Sequence, residues 1–306
     1  MGLVRLDASR VFYRFDPDIP PAARARPGDL VEFECQDALG GQIVSEEQTV
    51  ASIDWNRVNP ATGPLYVEGT TPGDALAVKI LSIELGGKGV VVTAPGEGAL
   101  PHLTREARTR ICRVYEDRVE FLGLALKARK MIGVIGTASS ERAPTGVPGR
   151  HGGNLDTRLI GEGSTVYLPV EYEGGLLGIG DLHAVMGDGE VCVAACEVSG
   201  KVLARIGVLR GLAPKWPMVE TRDATYLIIS AEGLENALKL AVEEAVGALS
   251  RALNLDWYDA YMLASMALDF EISQVVDPRK TVRVRVPKEV VPATRLLESF
   301  ARSRGR

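Results

Sequence analysis

The sequence predicts an α+β protein that is predominantly β, with sandwich- or barrel-like sheets and a helical segment toward the C-terminus. Three observations carry this. Short apolar runs with strand-like alternation, nearly all bounded by Gly or Pro, recur through the first 200 residues. Helical periodicity appears only after residue 230. Glycine is 33 of 306 residues, above the average of roughly 7%, as many turns require.

Asp29-Leu-Val-Glu-Phe-Glu-Cys35 alternates apolar and polar residues, the pattern of a strand with one buried face. Ala75 to Glu84 and Gly89 to Thr93 read as two strands separated by Gly-Gly-Lys-Gly. Further short strands are expected at Val114-Tyr, Val119-Glu-Phe-Leu, Met131-Ile-Gly-Val-Ile, Thr165-Val-Tyr-Leu-Pro-Val and Val191-Cys-Val-Ala-Ala. Pro27-Gly28, Pro72-Gly73, Pro95-Gly96 and Pro148-Gly149 punctuate them. From Ala231 to Leu253, Leu234, Leu238, Val242, Ala245, Leu249 and Leu253 recur every three or four residues, which predicts an amphipathic helix. Asn254 and Asp256 interrupt that pattern and can cap a second helix through Tyr258, Met262 and Met266. Thr281-Val-Arg-Val-Arg-Val286 returns to strand and stops at Pro287. No long linker divides the chain. It reads as one unit over 1–306, with sub-lobes at 1–130 (β-rich) and 131–306 (site-bearing β plus C-terminal helices).

Charge excludes several classes of function. Thirty-five Lys+Arg against 40 Asp+Glu give −5, with no basic stripe for a nucleic-acid backbone. The basic tail Arg302, Arg304, Arg306 reads as a chain end rather than a site. No apolar run approaches the ~20 residues of a membrane span, and Met-Gly-Leu-Val-Arg-Leu-Asp meets charge too early for a signal peptide. A cytoplasmic protein is expected. Cys192 and Cys196, if on one strand, lie ~13 Å apart, too far for a disulfide. All four cysteines read as small buried hydrophobes. Neither Gly-x-x-x-x-Gly-Lys-Ser/Thr nor a strand–Gly-x-Gly-x-x-Gly–helix unit occurs, and Gly-x-Ser-x-Gly is absent.

The chemistry-bearing residues concentrate in two stretches. Gly178-Ile-Gly-Asp-Leu-His-Ala-Val-Met-Gly-Asp-Gly-Glu190 packs Asp181, His183, Asp188 and Glu190 together. The Asp181-x-His183 spacing puts both side chains on one face of an extended chain, ~6.6 Å apart. Such a pair can converge on a cation, because imidazole and carboxylate both suit Zn²⁺ and similar metals. Clustered carboxylates repel, so they imply a cation or a shared proton. The second stretch, His151-Gly-Gly-Asn-Leu-Asp156, repeats the ingredients with His151, Asn154 and Asp156. Turn chemistry alone is the competing reading for both, since Asp, Asn and Gly are ordinary turn residues. Glu197, Glu34 and Asp37 near strand ends offer a further ligand or base, or are solvated charges. His102 reads as a surface residue.

Gly-Val-Pro-Gly-Arg-His-Gly-Gly-Asn-Leu-Asp156, Gly163-Ser-Thr-Val-Tyr-Leu-Pro-Val170 and the 180–190 segment resemble the acetamidase/formamidase family. Asp16-Pro-Asp-Ile-Pro-Pro, Gly63-Pro-Leu-Tyr-Val-Glu-Gly69, Pro72-Gly-Asp-Ala-Leu, Ser273-Gln-Val-Val-Asp-Pro and Val282-Arg-Val-Arg-Val-Pro-Lys288 extend the likeness over nearly the whole chain. Met186 stands where many members have Gln, and Phe15 where longer members often have His. The resemblance implies a mostly β fold, a metal-associated homo-oligomer (dimer or larger), and hydrolysis of a short aliphatic amide, formamide or acetamide, to carboxylate and ammonia.

Amide hydrolysis requires an activated water, a stabilised oxyanion and a proton for the leaving nitrogen, which a divalent metal and a carboxylate can share. On this reading Asp181 and His183 ligate the metal, with His151 or Glu197 as a third ligand. Asp188 or Glu190 is the base, Asn154 holds the substrate, and a small pocket is expected. The metal is expected to be Zn²⁺, with Ca²⁺ as the alternative. Two other functions fit the same residues: a non-catalytic β-sandwich module with structural Ca²⁺, and hydrolysis of another, cyclic C–N bond.

Overall fold

Alternation along Leu30–Cys35 buries Val31, Phe33 and Cys35 on one side, and this strand seeds the main sheet. It pairs in parallel with Leu3–Leu6 and antiparallel with Glu197–Leu209. The other edge of Glu197–Leu209 pairs antiparallel with Ala75–Thr93. The computed structural model describes residues 2–301. Met1 and the basic tail Arg302, Arg304 and Arg306 lie outside the described residues.

Ala75–Thr93 is one continuous strand of 19 residues rather than the two expected. Its glycines do not end it. The pairing with Glu197–Leu209 shifts register between Val198 and Gly200, opposite Gly89 and Leu85, so the glycine run is taken up as a bulge. Ile80 and Ile83 before the bulge bury against Phe33, Val202 and Ala204 in the main core.

Two strands run through the interior without alternation, because both of their faces are covered. Met131–Gly136 and Leu177–His183 are buried at every position and pair antiparallel. Leu177–His183 meets Ala61–Val67 along its other edge and Glu197 at its His183 end. The site is built where these strands end.

The helices pack on the outside of a second pair of strands, Ala224–Ala231 and Lys280–Pro287. Helix α1 (Leu234–Leu253) ends where expected but begins three residues after Ala231, which stays in the preceding strand, and its buried stripe includes Ala237, Ala241, Ala245, Ala248, Leu249 and Ala252. Leu234 and Leu238 remain 36% and 42% exposed, since small alanines let the helix approach the sheet more closely than leucines allow. Helix α2 (Trp257–Ala267) is capped by Asp256, whose side chain accepts from Asp259 N. Asn254 closes α1 in the left-handed region, φ 56°. A third helix, α3 (Ala293–Ala301), was not expected; it buries Leu296, Leu297 and Phe300.

Val191 to Ala195 is a turn, not the expected strand. Glu190 at φ 49° and Val193 at φ 89° leave the extended region and fold the segment under the site. All four cysteines are free, three of them buried. No helix among the described residues is long and apolar enough to cross a membrane.

Candidate active site

Asp181 and His183 end the Leu177–His183 strand with their side chains together, His183 Nε2 lying 3.1 Å from Asp181 Oδ1. Asp181 adopts φ 55°, a conformation that costs on the order of 1–3 kcal/mol and persists only where its surroundings enforce it. Beside Asp181 on the neighbouring strand lies Gly133. A Cβ on Gly133 would fall inside van der Waals contact of both Asp181 Oδ2 and Asp156 Oδ1. The bare glycine therefore makes the space in which two carboxylates meet. Gly133→Ala is expected to weaken divalent-cation binding by about 10- to 100-fold, read by titration of chelator-treated protein; unchanged affinity would refute this role for Gly133.

Three further acids close on the same point from distant parts of the chain. Glu197 Oε2 lies 3.0 Å from His183 Nε2 without hydrogen-bond geometry, and its Oε1 accepts from Ala195 N at 2.7 Å. Asp156 Oδ1 and Glu190 Oε1 each lie 3.9 Å from the same nitrogen. Asp277 is joined to the group by Asn154, whose Nδ2 donates to Asp277 Oδ1 at 3.3 Å. All of these residues but the half-buried Asp277 are buried, with His183 1% and Asp156 0% exposed. Among the described residues no Lys or Arg forms an ion pair with any of the five acids.

Burial and mutual repulsion shape how these groups hold protons. Burial, then the Asp181 charge, pushes Asp156 up to about 7. Burial pushes Glu197 up to about 8, against the pull of His183. Glu190 and Asp277 are raised well above the usual carboxylate range by burial and by Asp156. Burial disfavours a charge on His183, but Glu197 and Asp181 outweigh it and hold the imidazole well above its ordinary value. Burial would raise Asp181 too, but the His183 charge leaves it lowered.

The donors fit a divalent cation. Both oxygens of Asp156, one of Asp277, Glu197 Oε2 and His183 Nδ1 are buried without hydrogen-bond partners among the described residues, an expensive arrangement unless something positive faces the oxygens. Two triads have all their ligand atoms within 4.8 Å of one another: Asp181, His183, Glu197 and Asp156, His183, Glu190. Carboxylate oxygens with one imidazole suit several divalent ions.

The sign of the pH effect follows. A carboxyl whose folded pKa is raised contributes stability below its unfolded value and loses it as pH rises through the folded one. Chelator-treated protein should therefore lose roughly 5 °C or more of Tm between about pH 6 and about pH 9, through the Asp156 and Glu197 values of about 7 and about 8. A divalent cation should restore most of it. A flat Tm profile without cation would contradict this.

Several expected residues sit elsewhere. Asp188 points away from the cluster and is held bidentate by Arg283, Nη1–Oδ1 2.7 Å and Nη2–Oδ2 2.8 Å, with Arg158 Nη2 at 2.7 Å. His151 belongs to neither triad. Its ring packs 5.0 Å from Phe15, and burial lowers its pKa to about 4. Asp37 caps its own turn by accepting from Leu39 N and Gly41 N. Glu34 is half-buried and His102 exposed. Asp277 was not singled out from the sequence, although it lies in Ser273-Gln-Val-Val-Asp-Pro. Asp156 stands out in the sequence only as a member of the His151-Gly-Gly-Asn-Leu-Asp156 stretch.

The cluster opens into a cavity of about 550 Å³, lined at one end by Asn154, Asp181, Glu190, Glu197 and Asp277. This is not the small pocket expected. It is a β-rich protein with a buried carboxylate–histidine centre at the floor of a preformed cavity. A model of the acetamidase/formamidase family matches residues 4–146 and 141–292, and the chain belongs to that family. It is 28% identical over 268 residues to the formamidase of Methylophilus methylotrophus, covering 68% of this chain and 66% of that protein. The chain thus spans 66% of the length of the curated relatives it matches. Its structure resembles the crystal structure of an acetamidase from Bacillus halodurans, with 42% identity, TM-score 0.90, and coverage of 94% of this chain and 98% of the other. It also resembles a predicted acetamidase/formamidase from the thermophile Thermoanaerobacter tengcongensis, with 43% identity, TM-score 0.91, and coverage of 98% of each chain.

Proposed function

We propose that the chain hydrolyses a primary aliphatic amide to a carboxylate and ammonia. The observation that carries this reading is the convergence of Asp181, Glu197 and Glu190 on the cavity floor around His183. Relatives named formamidase and acetamidase make formamide and acetamide the first substrates to assay.

Asp181, His183 and Glu197 would hold the divalent cation, Zn²⁺ by the preference of imidazole or Ca²⁺ by that of the carboxylates. When bound, such an ion supplies a positive charge that polarises a carbonyl and acidifies water. Glu190, which borders the cavity, takes one proton of the water that attacks the carbonyl carbon. The C–O bond forms, the C–N bond breaks, and the same proton passes from Glu190 to the departing nitrogen as ammonia. Asn154 orients the substrate: its Nδ2 is committed to Asp277, and its unpartnered Oδ1 accepts from the carboxamide N–H. Asp188, committed to Arg283 and Arg158, anchors the turn that carries Glu190.

The free cysteines suit a reducing cytoplasm. The exposed Trp257, Tyr258, Met262 and Met266 on α2 suit contact with a second copy.

The deciding experiment measures ammonia release from formamide and acetamide, metal content, and the effects of chelation and of His183→Ala. Ammonia release that falls at least about a hundredfold after either treatment is expected. Unchanged activity after both would end the metal assignment, and no ammonia from any amide would end the amidase reading.

A further inference from the structure

Acetamide leaves most of this cavity unfilled. At ~30 Å³ for each water-sized heavy atom, its four heavy atoms take up roughly 120 Å³ of the 550 Å³. Beyond the acid floor the lining is mixed: Arg14, Asn56, Asn59 and Glu97 contribute polar groups, and Leu39, Val50, Val58, Val92, Ala94 and Val193 make an apolar wall. Leu39, Val50, Val92 and Ala94 also pack with one another in a satellite core that Val58 and Val193 join. The wall is therefore held by its own packing and does not depend on the substrate to shape it. Trp55, 56% exposed, adds an aromatic surface to the same lining.

Val193 is the unusual member. It is β-branched yet held at φ 89°, where such residues are outliers and glycine is at ease. Its N–H donates to the Glu190 carbonyl at 3.1 Å, so one turn carries both the strained valine and Glu190. The strain is tolerated in a turn that sets an isopropyl group beside the reacting end of the cavity.

We infer that the preferred substrate is a primary amide with an apolar acyl group of roughly six to eight carbons, at ~30 Å³ each well within the remaining volume. Val193 sets how that group lies relative to Glu190. This inference rests on the amidase reading, in which the nitrogen leaves as ammonia and the apolar group must therefore sit on the carbonyl side. The products are an apolar carboxylate and ammonia.

The test is a series of kcat/KM values for ammonia release from formamide, acetamide, butyramide, hexanamide and phenylacetamide. Each buried methylene should raise kcat/KM about fourfold, reaching roughly 250-fold over acetamide at hexanamide. Val193→Phe should lower the hexanamide-to-acetamide ratio at least tenfold. Val193→Gly relieves the strain, so its Tm should hold while its optimum moves to bulkier acyl groups. Should the phenylalanine variant fail to fold, the wild-type series and Val193→Gly decide. A flat or falling series beyond acetamide overturns the inference and leaves the amidase reading intact. Faster acetate release from N-hexylacetamide, whose leaving group is hexylamine, than ammonia release from hexanamide also overturns it, by moving the apolar group to nitrogen. A Val193→Gly ratio within twofold of wild type removes Val193 from the proposal. No ammonia from any amide overturns both readings.

Discussion

Replacing Glu190 with glutamine lowers kcat for amide hydrolysis by about a thousandfold while cation content stays at the wild-type level. Glutamine matches the shape and burial of the side chain but cannot take a proton from water or give one to nitrogen. The Asp181, His183 and Glu197 triad is untouched, with Glu190 Oε1 standing 3.9 Å from His183 Nε2 rather than within the 3.0–3.1 Å of the other two. KM should change little, because the loss falls on the proton-transfer step rather than on substrate binding. Ammonia kinetics beside a metal-to-protein ratio make the measurement. Activity within tenfold of wild type at full metal content would remove Glu190 from the mechanism.

Asp188→Asn behaves in the opposite way, with a loss of stability of about 2–4 kcal/mol. Arg283 is 2% exposed, and its guanidinium is satisfied by Asp188 at 2.7 and 2.8 Å, Glu271 at 2.6 Å and the Ile272 carbonyl at 2.9 Å. Burial works against that charge, and the Asp188 and Glu271 carboxylates compensate for it, holding the Arg283 pKa above its ordinary value. Asparagine keeps one hydrogen bond but removes the charge, leaving a buried cation with half its compensation. Urea denaturation should show the loss, with kcat per folded molecule reduced less than tenfold. If Asp188→Asn instead abolished turnover at unchanged stability, the roles of Asp188 and Glu190 would have to be exchanged.

That contrast marks how far the sequence alone reaches. Period-two spacing put Asp181 and His183 side by side, as the structure does, because both sit on one strand and their relation is local. The same spacing linked Asp188 and Glu190 as though they were equivalent. A left-handed φ of 49° at Glu190 breaks the alternation between them and turns the two carboxyls to different partners. Asp277 is 87 positions beyond Glu190 and arrives through pairing of Gly189 with Gln274, a long-range contact that no local pattern reveals. Most strands, α1 and the α2 cap were legible from periodicity and capping chemistry. The strand expected over Val191 to Ala195 was not, since a run of β-formers carries no sign of the positive φ at Val193. Helix α3 is a short segment whose apolar face packs against α1, with the Ser299 carbonyl accepting from Arg251 Nε.

The buried acid centre also has a consequence in time. Its members come from residues 156, 181, 183, 190, 197 and 277, and Asp277 reaches the others only when the Asp269–Gln274 strand has docked beside Lys280–Pro287 and met Gly189. Contacts of such sequence separation form late and slowly. On the proposed metal reading, capture of an ion would thus be a closing step of maturation rather than its nucleus, since the chain must nearly complete itself before these side chains come together.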